Sequence, residues 1–241
     1  MEDMYSNDTQ SNLTGTIENS LMYLYDRKVN CPVCENDINI RAVKTSGIRV
    51  LSRDTDFMVY YKDPNPLLYD SWLCVNCGYA APSSRFNKLN GKQIKLIKEN
   101  ITSKWKSNKT YPPVYDENVA IELHKLALLN TMAKMGKDSE KASICLKIAW
   151  LYRLKNDSQN EKKFITQAVQ LYSSAYEKET FPLNGLDEPS VEYLLGELYR
   201  RLNDNSSALK WLSKVVTGRV AKEKIKDMAR TQKDIIKAAL T

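Results

Sequence analysis

Two Cys-x-x-Cys pairs in the N-terminal third constrain the fold of this 241-residue chain more than any other feature. Cys31 and Cys34 form the first pair. Cys74 and Cys77 form the second, and Gly78 follows it directly. A tight turn at such a pair points backbone N–H groups at the thiolates, and a glycine lets the chain reverse there. Four thiolates complete a tetrahedral, closed metal site that stabilises a fold.

The separation between the pairs does not prevent them from sharing one ion. Residues 35–73 lie between them, whereas a compact zinc ribbon has roughly 15 to 20 residues there. Doubling a loop costs about 0.6 kcal/mol of closure entropy, but a structural zinc ion contributes roughly 10 to 16 kcal/mol. We therefore predict a zinc site with four cysteine ligands. Iron, held as in rubredoxin, is the alternative because tetrahedral S₄ coordination suits both metals, and a rubredoxin-like iron redox protein is accordingly an alternative function.

The N-terminus and the hydropathy pattern predict a cytoplasmic protein that does not enter a membrane. Residues 1–20 are rich in Asn, Ser, Thr and acids, which predicts disorder and lacks the basic and apolar runs of a signal peptide. No run approaches the roughly 18 apolar residues of a membrane span. Cysteines in the cytoplasm stay reduced, which favours metal ligation over disulfides.

Two kinds of periodicity predict an α+β chain, with a small four-cysteine, zinc-ribbon-like β-domain followed by an all-α tetratricopeptide-like helical array. Segments such as "DINIRAV" and "DFMVYYK" have strand character, and the period becomes helical after Pro82. The predicted parts are a disordered stretch at 1–20, the β-domain at 21–82, a basic helix and linker at 83–116, and the helical domain at 117–241. Helices are predicted at 117–135, 140–155, 160–179, 189–202, 204–217 and 220–238.

The helices carry a repeated pattern. Gly196 and Tyr199, followed by Ala208, resemble the tetratricopeptide pattern, in which small residues let paired helices approach closely. A degenerate earlier copy is predicted around His124, which would fill a buried slot. In such arrays the first helix of each pair lines a groove, and the groove residues predicted on that basis are Trp150, Arg153, Tyr193, Glu197 and Arg200.

The composition of this groove predicts a noncatalytic adaptor that binds a protein or peptide. Trp, Tyr and Arg dominate binding energy at protein interfaces, and two arginines favour an acidic ligand. The rest of the sequence predicts no enzyme. It has a single histidine, and neither a phosphate-binding P-loop nor a G-x-G-x-x-G motif is present.

A second polar constellation lies in the insert between the cysteine pairs. Arginines on one strand face, followed by aspartates, an asparagine and a tyrosine, could bind an anionic ligand through bidentate contacts. A surface salt-bridge network that stiffens a hairpin explains the same residues. The residues of this predicted site are Arg49, Arg53, Asp54, Asp56, Asn65 and Tyr69.

A basic strip supports an alternative function. Residues 83–110 hold eight basic side chains against Glu99, in a chain whose net charge is +7. Lys88, Lys92 and Lys95 fall on one side, with Trp105 nearby for stacking, so nucleic-acid binding is the alternative to partner-protein binding. A packed helix with a solvated face would carry the same charges.

The motifs "CPVC", "SRDTDF", "YYKDPNPLLYD" and "CVNCGYAA" occur in this order over residues 31–81. In that order they resemble the bacterial family known as domain of unknown function 2225. The resemblance implies paired cysteines around an Arg/Asp-rich insert and a helical, tetratricopeptide-like C-terminal part. It maps the four cysteines onto the family's pairs, and Asp56, Asn65, Pro66 and Tyr69 onto its insert. It implies no activity.

Overall fold

The computed structural model describes residues 20–106 and 109–239. These residues form antiparallel strand pairs followed by helices, which confirms the predicted α+β class with a helical C-terminal part. The predicted disorder of residues 1–20 falls almost wholly outside the described residues. The chain divides into two compact units, the first made of Met1–Arg53 and Val59–Lys134, and the second of Asp54–Met58 and Met135–Thr241.

The strands of the first unit pair as three antiparallel hairpins in the described part of the chain. "DINIRAV" is a strand, as predicted, with Ile38 and Ile40 buried and Asp37 and Asn39 exposed. The strand predicted in "DFMVYYK" begins only at Val59, because the residues before it form a turn. The strands are β1 (Leu24–Asn30), β2 (Asp37–Val43), β3 (Arg49–Arg53), β4 (Val59–Lys62), β5 (Ser71–Leu73) and β6 (Ala80–Pro82).

In the described part of the first unit, the helices α1 (Gly91–Asn100) and α2 (Glu117–Ala133) follow the strands. Asp116 caps α2, where it accepts a hydrogen bond from Val119 N at 2.9 Å, because the first N–H groups of a helix lack partners within it. Helix α2 packs on β5 and β6, and Asn130 Nδ2 donates to the carbonyl of Gly78 at 3.0 Å.

This placement of α2 differs from the predicted domain division. The helical period predicts that the helical domain starts at residue 117, with Ala120, His124 and Ala127 in a degenerate repeat. These three residues are buried as the pattern requires, but α2 belongs to the strand-containing unit, which extends to Lys134. An amphipathic period identifies a buried face and not the element that covers it.

The second unit contains consecutive helices joined by short connections. Their ends lie within three residues of the predicted ones, and Asp157, Asp187 and Asp204 cap three of them. No helix in residues 20–106 and 109–239 is both long and apolar enough to cross a membrane. The helices are α3 (Asp138–Leu154), α4 (Ser158–Lys178), α5 (Glu188–Arg201), α6 (Asn205–Thr217) and α7 (Glu223–Ala238).

One glycine allows close contact between helices α5 and α6 of the second unit. A Cβ built on Gly196 of α5 would lie 2.7 Å from Cγ of Leu212 in α6. The buried Ala208 and Leu212 and the partly buried Tyr199 belong to one apolar cluster, which also includes Ala229 of α7. The short side chains predicted from the repeat pattern thus lie where helices pack tightly, and the tetratricopeptide likeness itself remains a prediction.

Candidate functional site

The four cysteines of the two pairs converge in the first unit. The Sγ atoms of Cys31 and Cys77 lie 3.7 Å apart, and those of Cys34 and Cys74 lie 3.6 Å apart. All four sulfurs lie within 4.8 Å of one another. The cluster sits in the apolar core of the unit, where only Cys34 is more than marginally exposed. The sequence prediction that the two pairs meet is therefore confirmed.

The sulfur positions fit a four-coordinate metal ion. Metal–sulfur bonds of about 2.3 Å in a tetrahedron place the sulfurs about 3.8 Å apart, close to the two separations given above. A disulfide would require about 2.05 Å. This donor set suits zinc or iron, because both take tetrahedral S₄ coordination.

The two cysteine pairs form nearly identical turns. Glu35 N donates to the carbonyl of Cys31, and Gly78 N donates to that of Cys74, each at 2.8 Å. Both donors have left-handed backbone conformations, with φ of 63° at Glu35 and 77° at Gly78. A Cβ on Gly78 would lie 2.5 Å from the ring of Trp105. Only glycine therefore fits the second turn, and it satisfies the backbone and the close ring contact together.

The surroundings of Cys31 favour its thiolate form even without a cation. Hydrogen bonds from the thiols of Cys74 and Cys77, and from the backbone N–H groups of Val33 and Cys34, lower the pKa of Cys31 against the opposing effect of burial. The contact with Cys31 raises the pKa of Cys74 to about 12, and it also raises that of Cys77. Ionisation of Cys74 and Cys77 therefore depends on a positive charge among the sulfurs, which a bound metal ion supplies.

The basic strip borders this centre. Lys88, Lys92 and Lys95 are exposed, as a phosphate-binding surface would need. Trp105, the predicted stacking residue, lies against Gly78 and donates from Nε1 to the carbonyl of Val75 at 2.7 Å. Its ring stabilises the second cysteine turn, so stacking on a base would require it to leave that position. Nucleic-acid binding remains a prediction from the lysines alone.

The six polar residues predicted as one site in the insert have different local contacts. Arg49 and Arg53 lie on the exposed strand β3. Asn65 accepts a hydrogen bond from a backbone N–H at 3.0 Å, which begins a short 3₁₀ turn. Tyr69 stacks on Tyr115, with ring centroids 4.9 Å apart. These four residues belong to the first unit.

Asp54 and Asp56 belong to the second unit, where they contact residues that were predicted to line the groove. Arg153 makes a bidentate contact with Asp56, with Nη1 3.1 Å from Oδ1 and Nη2 2.7 Å from Oδ2. Nη1 of Arg153 also lies 2.8 Å from Oδ2 of Asp54. Trp150 donates from Nε1 to Asp56 at 2.9 Å. Two aspartates of the predicted insert site thus contact two of the predicted groove residues.

Helix α5 supplies the other side of this site. Arg201 Nη2 lies 2.6 Å from Oδ1 of Asp54, and Thr55 donates its hydroxyl to Glu197 at 2.6 Å. Glu197 also accepts from Arg201 Nε at 2.8 Å and from Arg200 Nε at 2.7 Å. Sequence reasoning named Arg200 and missed Arg201, although Glu197 and Arg201 have the favourable i,i+4 spacing of a helical ion pair.

An apolar contact completes the site. The ring of Phe57 lies 5.4 Å from that of Tyr193, and Met58 is fully buried. We call Asp54–Met58 the acidic tip. We call the residues that contact it the tip groove, which consists of Trp150, Arg153, Tyr193, Glu197 and Arg201.

The charges of the site are buried and paired. Asp56 and Glu197 have no exposed surface. Burial lowers the pKa of Arg153, but its contacts with Asp56 and Glu161 outweigh burial and hold that pKa above its usual value. Burial raises the pKa of Asp54, but the N–H of Thr55 and the two arginine charges outweigh it, so that pKa lies below its usual value. Arg153 and Asp54 therefore remain charged, because each has hydrogen-bonded partners that favour its charged form.

One family model matches residues 24–236, and its description is "Uncharacterized protein conserved in bacteria (DUF2225)". The match begins at β1 and ends within α7, so it includes both cysteine turns and the tip groove. No curated protein and no solved structure matches the chain.

Proposed function

The chain belongs to the bacterial DUF2225 family, whose description names no activity, and we propose that it is a noncatalytic adaptor. In this proposal a metal centre with four cysteine ligands stabilises the first unit, and the helical unit binds a partner protein through the tip groove. One observation carries the binding role. The groove already holds a chain segment remote in sequence, the acidic tip, through side-chain contacts from two helices.

The residue types in the groove support recognition of a protein segment. Trp150 and Tyr193 offer large, stiff side chains with polar ends, and Arg153 offers a planar fork that matches a carboxylate. Side chains of these types contribute most of the binding energy at protein interfaces. Their bidentate and aromatic contacts with the acidic tip support a preference for acidic segments over neutral ones.

We propose that the metal is zinc and that its role is structural. A closed set of four thiolates leaves no position for a substrate or an activated water, which supports a noncatalytic role. Reduced cysteines held as metal ligands support a location in the cytoplasm. Metal analysis of untagged protein should give about one zinc per chain and no visible absorption, because Zn²⁺ is d¹⁰. A coloured protein with stoichiometric iron would replace zinc by the rubredoxin-like alternative.

Affinity purification from the native cell tests the binding role. The variant Arg153→Ala with Arg201→Ala removes both guanidinium groups that hold the tip. We expect it to lose a partner protein that the wild type retains. The matched control is Arg49→Ala with Arg53→Ala, which removes the same charge from exposed positions on β3.

The comparison requires folded variants, which far-UV circular dichroism and metal content establish. The groove assignment fails if the groove variant retains every partner of the wild type. It also fails if the β3 control loses the same partners, because bulk charge would then explain the binding.

A further inference from the structure

We propose that the partner presents an exposed acidic segment of the pattern Asp-x-Asp-aromatic, and that the acidic tip is a resident copy of this ligand, which the partner displaces. The inference rests on the proposed function, because it takes the tip groove as the partner-binding surface. It adds the chemistry of the ligand and the state of the groove before binding.

The two acidic positions of the pattern follow from the arrangement of donors. Asp54 bridges Arg153 and Arg201, which belong to different helices, at 2.8 and 2.6 Å. Asp56 takes the bidentate contact of Arg153 and the indole N–H of Trp150. A ligand with one carboxylate would leave a partly buried donor unpaired, and such a donor costs binding free energy. The groove therefore selects two acids separated by one residue.

The positions between and after the acids are also specified. Thr55, between them, donates its hydroxyl to the fully buried Glu197. A third acid there would meet the carboxylate of Glu197, and like charges at such contact are unfavourable. Phe57 packs on Tyr193. The ligand is therefore an acid, a small hydrogen-bond donor, a second acid and an aromatic residue, in this order.

The contact between the tip and the groove is of a kind that an incoming acidic segment can replace. Charged groups in a buried site contribute little to stability compared with apolar groups of the same volume, but they provide discrimination between ligands and fast association. The segment before the tip is the exposed strand β3. An incoming acidic segment can therefore replace each contact of the tip in kind, since the groove donors stay in place.

Competition by the tip sets the expected affinities. A ligand tethered in the same chain acts at an effective concentration of about 1 mM. For an intrinsic Kd on the order of 10 to 100 µM, it weakens the apparent affinity of a free ligand roughly 10- to 100-fold. A tip without its charges should release the groove and restore the intrinsic affinity.

Fluorescence anisotropy with a synthetic peptide tests this inference in the full-length protein. The probe is residues 52–60, "SRDTDFMVY", and the control peptide has both aspartates replaced by asparagine. The proteins are the wild type and the double variant Asp54→Asn with Asp56→Asn. We expect the double variant to bind the acidic probe at least about 10-fold more tightly than the wild type. Neither protein should bind the control peptide.

A third variant tests whether the probe binds in the tip groove. Arg153→Ala in the background of the double variant should abolish binding of the acidic probe. The inference is overturned if the folded double variant binds neither peptide, or binds both equally. It is also overturned if light scattering shows that a second copy of the chain exchanges its tip into the groove, because the occupant would then be the chain itself.

A measurement on the wild type keeps the test decisive if the double variant does not fold. In isotopically labelled protein, the backbone amide signals of Thr55 and Phe57 report whether the tip itself lies in the groove, where Thr55 contacts Glu197 and Phe57 packs on Tyr193. Unlabelled acidic probe at millimolar concentration should displace the tip and shift these signals, and the control peptide should not. No shift with the acidic probe overturns the inference.

The peptide result and the affinity purification fail independently. If purification depends on Arg153 and Arg201 but the acidic probe does not bind, the proposed function stands and the acidic pattern is wrong. If the probe binds but no cellular partner depends on these arginines, the groove recognises acidic segments without acting as the adaptor surface.

Discussion

The two units of this chain reach a stable structure by different means. In the first unit, short two-stranded sheets and two helices surround a core that contains the four cysteines. In the second, the core is formed by interlocked helices, and the charged site lies among them. Two-stranded sheets are marginal by themselves, so the first unit depends on one ligand set. The stability of the second unit is distributed over many contacts.

Removal of the metal should affect the two units most unequally. The substitution Cys74→Ser removes one of the four clustered sulfurs, and a structural zinc site contributes roughly 10 to 16 kcal/mol. We expect the first unit to lose its amide protection from hydrogen exchange while α3–α7 retain theirs. Mass spectrometry of exchanged peptides gives both results, and metal analysis should show loss of the ion.

Cys145→Ala is the matched control for the cysteine experiment. Cys145 is buried in α3 and takes no part in the sulfur cluster. This variant should keep the metal and the protection of β1–β6. Equal loss of protection in both units of the Cys74 variant would contradict the contrast drawn between them.

A substitution in the acidic tip should destabilise the second unit and leave the metal centre of the first unit intact. Asp56→Ala leaves the side chain of Arg153, 13% exposed, without its bidentate partner. Breaking a buried pair by removing one member costs about 3 to 5 kcal/mol. We expect urea denaturation to show this loss in the helical unit, with metal content unchanged. Asp227→Ala is the control, because Asp227 pairs with Arg230 on the surface, and solvent screens such exposed pairs so that they contribute little to stability.

Alanine substitutions at two glycines, one in each unit, should give the smallest difference in stability between the units. A Cβ on Gly196 meets Leu212 at 2.7 Å, whereas a Cβ on Gly91, at the start of α1, has no atom within 4 Å. Gly196→Ala should destabilise the second unit by about 1 to 3 kcal/mol through overpacking. Gly91→Ala should stabilise the first unit by about 0.4 to 1 kcal/mol. Thermal unfolding of the two variants checks the opposite signs, and equal signs would contradict the packing argument.

The parts of this structure that local chemistry determines could be predicted from the sequence. The helix bounds follow from apolar periodicity and from caps such as Asp116. The meeting of the cysteine pairs follows from the coordination that four thiolates prefer. The repeat pattern predicts one shared face for Trp150, Arg153, Tyr193 and Glu197, and all four contact the acidic tip. That this face is a partner-binding groove stays a prediction.

The parts that long-range contacts determine could not be predicted. Five residues are too few to show a periodicity, so nothing local in Asp54–Met58 indicates that this turn belongs with helices about a hundred positions away. The apolar face of α2 indicated burial but not the strands that cover it. Arg201 was missed because the groove face assigned from the repeat pattern took its neighbour Arg200.

The division of the second unit into two stretches of chain affects how the protein is made and how its gene can change. A contact such as Arg201 with Asp54 spans 147 positions, so at about 5 to 20 residues per second the ribosome delivers the arginine roughly 7 to 30 seconds after the aspartate. Until Trp150 and Arg153 have been made, the nascent tip has none of its helical contacts. A single recombination breakpoint near residue 134 would separate the helices from five residues of their own unit, so these units can be inherited intact only together or through two exchanges.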